Sequence, residues 1–364
     1  MSKKFIIAGG GTGGHIFPAI AIAQAIKKKL PDASFLFVGA KGKMEMEKVP
    51  QAGFNIVGLD IAGFNRSSLI KNVALPFKLL KSFFQVRSII SEFEPSAVIG
   101  VGGYSTYPVL RWAQIKGIPT FIHEANAFAG KSNMLLAKKA VKVFTGTDGM
   151  DPFFPKEKIL VTGNPVRRSI LNNTVTQTEA LRHFGLKPNA FTILIIGGSL
   201  GAVSINKAIA SGLDTLHENG IQLIWQTGKP FAEKAKSICQ GRENIWVNDF
   251  INEMGMAYAA ADLIVSRAGA MSVAEICLVA KPVIFVPYPF AAEDHQTSNA
   301  MNVVKKGGAE MIKDGEAGQH LVSSILSVYK KDDQRKAMMN SLTQLGIGDA
   351  DNRIADEIIK NIGS

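Results

Sequence analysis

Apolar positions along this chain follow two alternating rhythms. Short β-branched and aromatic runs predict strands, and the stretches between them, with apolar residues three to four apart, predict amphipathic helices. The predicted strands are Phe5–Ala8, Ser34–Val38, Ala97–Gly100, Thr120–His123, Lys142–Thr145 and Ile159–Val161, then Thr192–Ile196, Gln222–Gln226, Asn244–Val247, Leu263–Val265 and Val283–Val286. Strand and helix in near-continuous alternation is the signature of parallel sheets covered on both faces, so the fold class is α/β.

The pattern also repeats. Thr192–Gly201 echoes the strand and glycine loop at Phe5–Gly14, and aligning the glycine pairs sets Thr12 opposite Ser199 and Gly14 opposite Gly201. Two such units predict twin Rossmann-like domains facing across a cleft, hinged near Gly163-Asn164-Pro165, where proline and glycine interrupt the pattern. At 364 residues the chain is long enough for two cores.

Composition narrows the class. No apolar run approaches the length of a bilayer span, and only Phe5 to Ala8 separate Lys3 and Lys4 from the first glycines, too short a core for a signal peptide. Cys239 and Cys277 form no metal-ligand spacing and fit a reducing compartment, so a cytoplasmic protein is expected. A net charge of +11 (41 basic, 30 acidic residues) calls for an anionic partner: nucleic acid, anionic lipid or a phosphorylated small molecule.

The chemistry is concentrated where strands end. After the first strand come Gly9-Gly10-Gly11-Thr12-Gly13-Gly14-His15 and then a helix. First-turn amides have no intrahelical partner, the dipole favours negative charge, and glycine lets a ligand reach the backbone, so an anion site is expected there. Gly9, Gly11 and Gly14 spell G-x-G-x-x-G, which admits a dinucleotide-binding oxidoreductase. That fingerprint wants an acidic residue at the end of the second strand, where Lys41 stands; a lysine would tolerate NADP rather than NAD. His15 reads equally as a backbone-bonded helix-start histidine or as a base for a hydroxyl nucleophile.

Further clusters follow the same logic. Gly100–Thr106 is another glycine loop. His123-Glu124-Ala125-Asn126 ends a strand with polar side chains, and the nearby Gly130-Lys131-Ser132 lacks the earlier glycine of a P-loop. Ser266–Glu275 reads strand end, small-residue turn and helix; Glu275 suits paired ribose hydroxyls or, more plainly, the helix dipole. Asp294, His295, Gln296 and Asn299 lie beyond a strand's C-terminal end, where open α/β sheets bind ligands; Asp294 or Thr297 could equally cap the helix. Asp349-Ala350-Asp351 spells a metal-binding D-x-D but is read as a helix cap. In Leu69 to Arg87, Leu75, Phe77, Leu79, Leu80, Phe83, Phe84 and Val86 alternate with Lys71, Lys78, Lys81 and Arg87, a pattern shared by an interfacial helix on anionic lipid and by an ordinary domain helix.

Seven motifs in order carry a resemblance: Gly10–His15, Gly102–Ser105, His123–Asn126, Gly163–Arg167, Gly197–Ala202, Ser266–Glu275 and Asp294–Ala300. Together they resemble glycosyltransferase family 28, the peptidoglycan UDP-N-acetylglucosamine transferases acting on lipid I, over essentially the whole chain. The resemblance implies a GT-B fold: an acceptor and membrane domain at 1–163, completed by a C-terminal helix at about 347–364, and a UDP-GlcNAc-binding domain at 164–346. It implies a metal-independent, inverting hexosyltransferase without a cofactor, moving GlcNAc to the 4-hydroxyl of the muramyl sugar of lipid I to give lipid II and UDP. Thr12, Gly13, Gly14, Asn126, Arg167 and Ser199 would contact the donor, Ile251 would read uracil through its backbone, Ala270, Met271, Ser272, Val273, Ala274 and Glu275 would hold the nucleotide with Glu275 on the ribose, and Gln296 would address the N-acetylglucosamine. Arg167, Ser199 and the helix start at Gly201 would stabilise the leaving diphosphate. His15 is the first candidate base, with Glu124 and Asp294 behind it. Leu200 stands where the family often has glutamine. The resemblance further implies a peripheral protein on the cytoplasmic face of the inner membrane, touching anionic lipid through 69–87 and working beside cell-wall synthesis proteins, with no nucleic-acid partner. The rival readings are an NADP-dependent oxidoreductase, another GT-B UDP-sugar enzyme and a non-catalytic nucleotide sensor.

Overall fold

The first sheet is assembled from β1 (Lys4–Ala8), β2 (Ser34–Ala40), β3 (Asn55–Leu59), β4 (Ala97–Gly100), β5 (Thr120–Glu124), β6 (Lys142–Thr145) and β7 (Ile159–Val161). A second contains β8 (Thr192–Ile196), β9 (Gln222–Gln226), β10 (Ile245–Asn248), β11 (Leu263–Ser266), β12 (Val283–Phe285) and β13 (Ala309–Met311). The structure is a computed structural model that describes residues 2–61 and 75–363. It divides into one unit of Met1–Pro165 with Asp349–Ser364 and another of Val166–Gly348.

Strand order in the first unit is β3-β2-β1-β4-β5-β6-β7 and in the second β10-β9-β8-β11-β12-β13, all pairs parallel. Each sheet therefore grows outward from its first strand in one direction, then reverses. The reversals fall between β1 and β4 and between β8 and β11, and the loops leaving those strands are where an open α/β sheet takes a ligand.

Why the strands are continuously apolar follows from the pleat. Phe5 and Ile7 enter one core and Ile6 and Ala8 the other; in the second unit Ile193 and Ile195 part from Leu194 and Ile196 in the same way. The final helix, Ala350–Asn361, places Ile354, Ala355 and Ile358 in the same core as Ile16, Ile20 and Ala23 of the helix Gly13–Lys29. Asp349 stands at its N-cap position with a left-handed φ of 61°, and its carboxylate accepts from the Asn352 amide instead of from a helix amide.

Two strands went unanticipated. β3 and β13 are the outer strands of their sheets, and β3 alternates exposed and half-buried positions before Leu59. Without a continuous apolar run they lack the signal that marks the central strands.

The helix Leu75–Phe93 covers most of the lysine-flanked stretch, whose first part, 69–74, lies outside the described residues. It has two apolar faces. Ser82, Val86 and Ile90 point inward, with Val86 and Ile90 in the core, whereas Phe77, Leu80 and Phe84 are 75%, 58% and 64% exposed. Positions 77, 80 and 84 share one side of a helix. Lys81 beside them pairs with Asp60 at 2.8 Å, and Lys41 pairs with the same carboxylate at 3.0 Å. Those two ammonium groups hold the Asp60 carboxyl down at about 2.

Candidate functional site

In the first unit, the loops beyond β1 and β4 interlock, and the first is also tied to β2. Gly9 N–H donates to the Val38 carbonyl, and Gly10 N–H to the Gly102 carbonyl, both at 3.2 Å. The Thr106 hydroxyl reaches both the Ala8 and Gly102 carbonyls. The approach is close enough to require glycine at 103, where φ is +90° and a Cβ would fall 2.4 Å from the Gly10 carbonyl oxygen.

Thr12 stands at the N-cap position of the helix Gly13–Lys29, with Gly13, Gly14 and His15 in its first turn. His15 Nδ1 lies 3.0 Å from the Gly10 carbonyl and 3.3 Å from Thr12 Oγ1. A carbonyl only accepts, so Nδ1 carries the proton and, in the neutral ring, the lone pair resides on Nε2. Of the two sequence readings, the structure shows the backbone-bonded one.

Glu124, at the end of β5, is 3% exposed. One oxygen accepts from the Asn126 backbone and side-chain amides, the other from Gly130 N–H and from Asn133 Nδ2 at 2.8 Å. With both oxygens doubly bonded, it orders the loop and holds Asn126. Its neighbour His123 is fully buried and neither ring nitrogen has a hydrogen bond of normal geometry. Burial drives its pKa down to about 4, with the nearby His15 adding to the fall and the surroundings of Gly163 and Asn164 opposing it.

The same loop also bears on the dinucleotide reading. Gly11 N–H, which a pyrophosphate would use, donates instead at 2.9 Å to the carboxyl of Glu45, a residue only 1% exposed. The interior of the protein already takes this amide.

In the second unit, the loop after β8 places Ser199 and Leu200 on the surface ahead of the helix Val203–Ser211, with Leu200 78% exposed. Gly201 is forced: φ is +75°, and a Cβ would stand 1.9 Å from the Thr227 carbonyl oxygen. Gln226 pins the loop by donating to the Gly198 carbonyl at 2.9 Å. After β11, Ala270 to Glu275 form the start of the helix Ala270–Val279.

Glu275 is 4% exposed and fully engaged. Arg167 grips it bidentately, Nε to Oε1 at 2.8 Å and Nη2 to Oε2 at 2.9 Å, and the Tyr258 hydroxyl donates to Oε2 at 3.0 Å. Burial works to lower the Arg167 pKa, but pairing with Glu275 raises it above its ordinary value. Burial first, then Glu275, push the Tyr258 hydroxyl well above the usual phenol range. The sequence motifs assigned Arg167 and Glu275 to different parts of a nucleotide; the structure makes them partners.

Gln296 lies in the helix His295–Val304 and accepts through Oε1 from the Ala268 and Tyr288 amides at 3.2 and 3.0 Å. Its remaining amide nitrogen is the group it can offer. Asn299 donates to the Ala268 carbonyl, so this helix holds the turn after β11 from both sides. Asp294 is exposed and accepts from the Thr297 hydroxyl at 2.7 Å without capping the helix backbone. Ile251 is 2% exposed and packs in the core of the second unit.

Three residues of these sites escaped sequence reading. Tyr258 sits in an apolar helix and looks like core; Arg267, whose guanidinium binds the Val286 and Pro287 carbonyls and pairs with Asp314 at 2.5 Å, looks like a solvated charge. Glu45 lies among lysines and gives no sign of burial.

Comparison with known proteins follows the same division. Residues 5–145 match the glycosyltransferase family 28 N-terminal domain and residues 192–354 the glycosyltransferase family 28 C-terminal domain. A protein of Phocaeicola vulgatus named UDP-N-acetylglucosamine–N-acetylmuramyl-(pentapeptide) pyrophosphoryl-undecaprenol N-acetylglucosamine transferase is 50% identical over 360 residues, covering 98% of this chain and 96% of that protein. The crystal structure of Acinetobacter baumannii MurG superposes with a TM-score of 0.83 at 29% identity, covering 98% of this chain and 99% of that one. A UDP-GlcNAc 2-epimerase from Neisseria meningitidis, solved with UDP-GlcNAc bound, shares the fold with a TM-score of 0.68 at 14% identity, covering 99% of this chain and 100% of that one.

Proposed function

The chain belongs to glycosyltransferase family 28, and from that membership we infer that it transfers N-acetylglucosamine from UDP-N-acetylglucosamine to lipid I, giving lipid II and UDP in peptidoglycan synthesis. The observation that carries this reading is likeness to the named transferases through both units at half identity, with four of the seven motif loops leaving the strands that flank the sheet reversals. The epimerase likeness concerns the fold alone, and the oxidoreductase reading lacks the Gly11 amide that a pyrophosphate would need.

In this reading the second unit binds the donor. Ser199 and the amides at the start of the helix Val203–Ser211 meet the diphosphate, Ala270 to Ala274 and the Ile251 backbone hold the nucleotide, and Gln296 offers its amide nitrogen to the sugar. Glu275 exchanges the Arg167 guanidinium for the two ribose hydroxyls while keeping the Tyr258 hydrogen bond. Arg167, released, turns to the diphosphate, where a fixed cation stabilises the charge that builds as UDP leaves.

The first unit binds the acceptor, and Thr12 to Gly14 and Asn126 contact substrate. Nε2 of His15 takes the proton of the muramyl 4-hydroxyl as that oxygen attacks the anomeric carbon, inverting it. Asp294 is the second candidate for the base; Glu124 serves as the anchor of Asn126. The reaction proceeds without a metal or a bound cofactor.

The enzyme works as a peripheral protein at the cytoplasmic face of the inner membrane. Among the described residues no helix is long and apolar enough to cross a membrane, and the outward face of Phe77, Leu80 and Phe84 is what the helix Leu75–Phe93 presents to lipid. Contacts with other cell-wall synthesis proteins belong to the same reading. A thermal-shift comparison separates the substrate classes: stabilisation by UDP-N-acetylglucosamine and not by NADPH supports the transferase, and the reverse rejects it.

A further inference from the structure

Glu45 takes no part in the reaction derived above, yet the first glycine loop is built around it. It opens the short helix Glu45–Gln51 in the sequence Lys41-Gly42-Lys43-Met44-Glu45-Met46-Glu47-Lys48, the setting of a solvated carboxylate. Instead it is 1% exposed, with Oε1 accepting from the Ala40 amide at 3.0 Å and Oε2 from the Gly11 amide at 2.9 Å. Glycines make room for it: a Cβ at Gly10 would lie 2.3 Å from Oε1, and one at Gly39 2.5 Å from the Glu45 Cγ. The carboxyl thus ties the end of β2 to the loop whose Gly10 carbonyl receives the His15 Nδ1 proton at 3.0 Å.

We propose that Glu45 is the positioning residue for His15, acting through the Gly9–Gly11 loop to place the imidazole and to keep its lone pair on Nε2. The proposal rests on the reading of His15 as the base. Both oxygens of a carboxyl are acceptors, which matches two backbone donors. A glutamine offers one acceptor and one N–H₂ group, so one of the two amides would face another donor and the loop would shift.

The test is a double-mutant cycle of Glu45→Gln and His15→Ala, reading kcat for UDP release with UDP-N-acetylglucosamine and a lipid I analogue, with circular dichroism to establish folding. Displacing a base by a fraction of an ångström to an ångström costs on the order of 10- to 100-fold, so E45Q is expected to lose that much in the parent chain. In the H15A chain the same substitution is expected to cost no more than about twofold, because the group it positions is gone. Nitrogen NMR of the imidazole is expected to show the Nδ1–H tautomer in the parent and a tautomer mixture in E45Q. An equal loss in both backgrounds, or an unchanged tautomer, overturns the proposal and makes Glu45 merely structural. Near-normal turnover of H15A alone overturns the base reading itself, a separate outcome. Should E45Q fail to fold, Glu45→Asp, whose shorter side chain reaches one amide, enters the same cycle with the same expectations.

Discussion

Tyr258→Phe removes one oxygen and tests how Glu275 is held. The ring remains, so the packing of this 1%-exposed side chain is preserved and only the 3.0 Å donation to Oε2 is lost. A hydrogen bond to a charged group contributes about 1.5–3 kcal/mol, more than a neutral pair, because the buried carboxylate left short of a donor bears its own desolvation. Arg167 cannot make up the difference: its side chain is 48% exposed, and solvent screens what it gives. For a unit of this size each kcal/mol moves the melting temperature by about 2–4 °C, so the expected fall is about 3–12 °C. Binding should follow. If Glu275 receives the ribose, the variant loses about tenfold or more in affinity for UDP and nothing for 2′,3′-dideoxy-UDP, which has no hydroxyls to place. Scanning calorimetry of the full chain with each nucleotide reads both effects. A variant that melts within about 1 °C of the parent and discriminates the two nucleotides equally well would refute the reasoning.

Other expectations follow from single positions. Gly201→Ala forces a Cβ to within 1.9 Å of the Thr227 carbonyl oxygen at a φ of +75°, so the loop after β8 must move; donor affinity should fall by about tenfold or more, and an unchanged Kd for UDP would show that this loop does not meet the diphosphate. His123 has a folded pKa of about 4 against 6.5, so the unfolded chain binds the extra proton between those values. Stability conferred by the neutral ring is present in full above pH 6.5 and is lost as pH falls toward 4, by about 3 kcal/mol in all. Denaturant titrations should show His123→Leu lacking that part of the slope, and parallel curves would contradict it. Replacing Phe77, Leu80 and Phe84 together by serine should weaken binding to anionic vesicles by about 100-fold or more while leaving turnover of a short-chain soluble acceptor intact, and co-sedimentation equal to the parent would remove this face from the membrane reading.

How much of this was legible in the sequence varies with the physics behind each feature. The central strands were plain because both faces of a parallel sheet are buried, which leaves an uninterrupted apolar run such as Thr192–Ile196. β3 and β13 were not, because Asn55–Leu59 alternates exposed and half-buried positions and Ala309–Met311 is three residues with a glutamate at its centre. The glycine loops announced themselves through composition, and Gly103 and Gly201 have steric reasons to be glycine. What stayed hidden was pairing at long range. Nothing local says that Arg167 meets Glu275 across 108 residues, that Tyr258 turns its hydroxyl to the same carboxylate, or that Glu45 folds inward from a lysine-rich turn. The helix Leu75–Phe93 resisted reading for a related reason: two apolar faces, one inward and one outward, blur into a single broad stripe in sequence.

The central claim is group transfer from UDP-N-acetylglucosamine to a lipid-linked acceptor, and UDP release tests it most directly. The purified chain is given UDP-N-acetylglucosamine with and without a lipid I analogue, and free UDP is followed alongside the disaccharide product. The result expected is slow or undetectable release alone and sustained release with the analogue, one disaccharide formed for each UDP. Tight nucleotide binding with no acceptor-dependent UDP, or UDP without disaccharide, would contradict it.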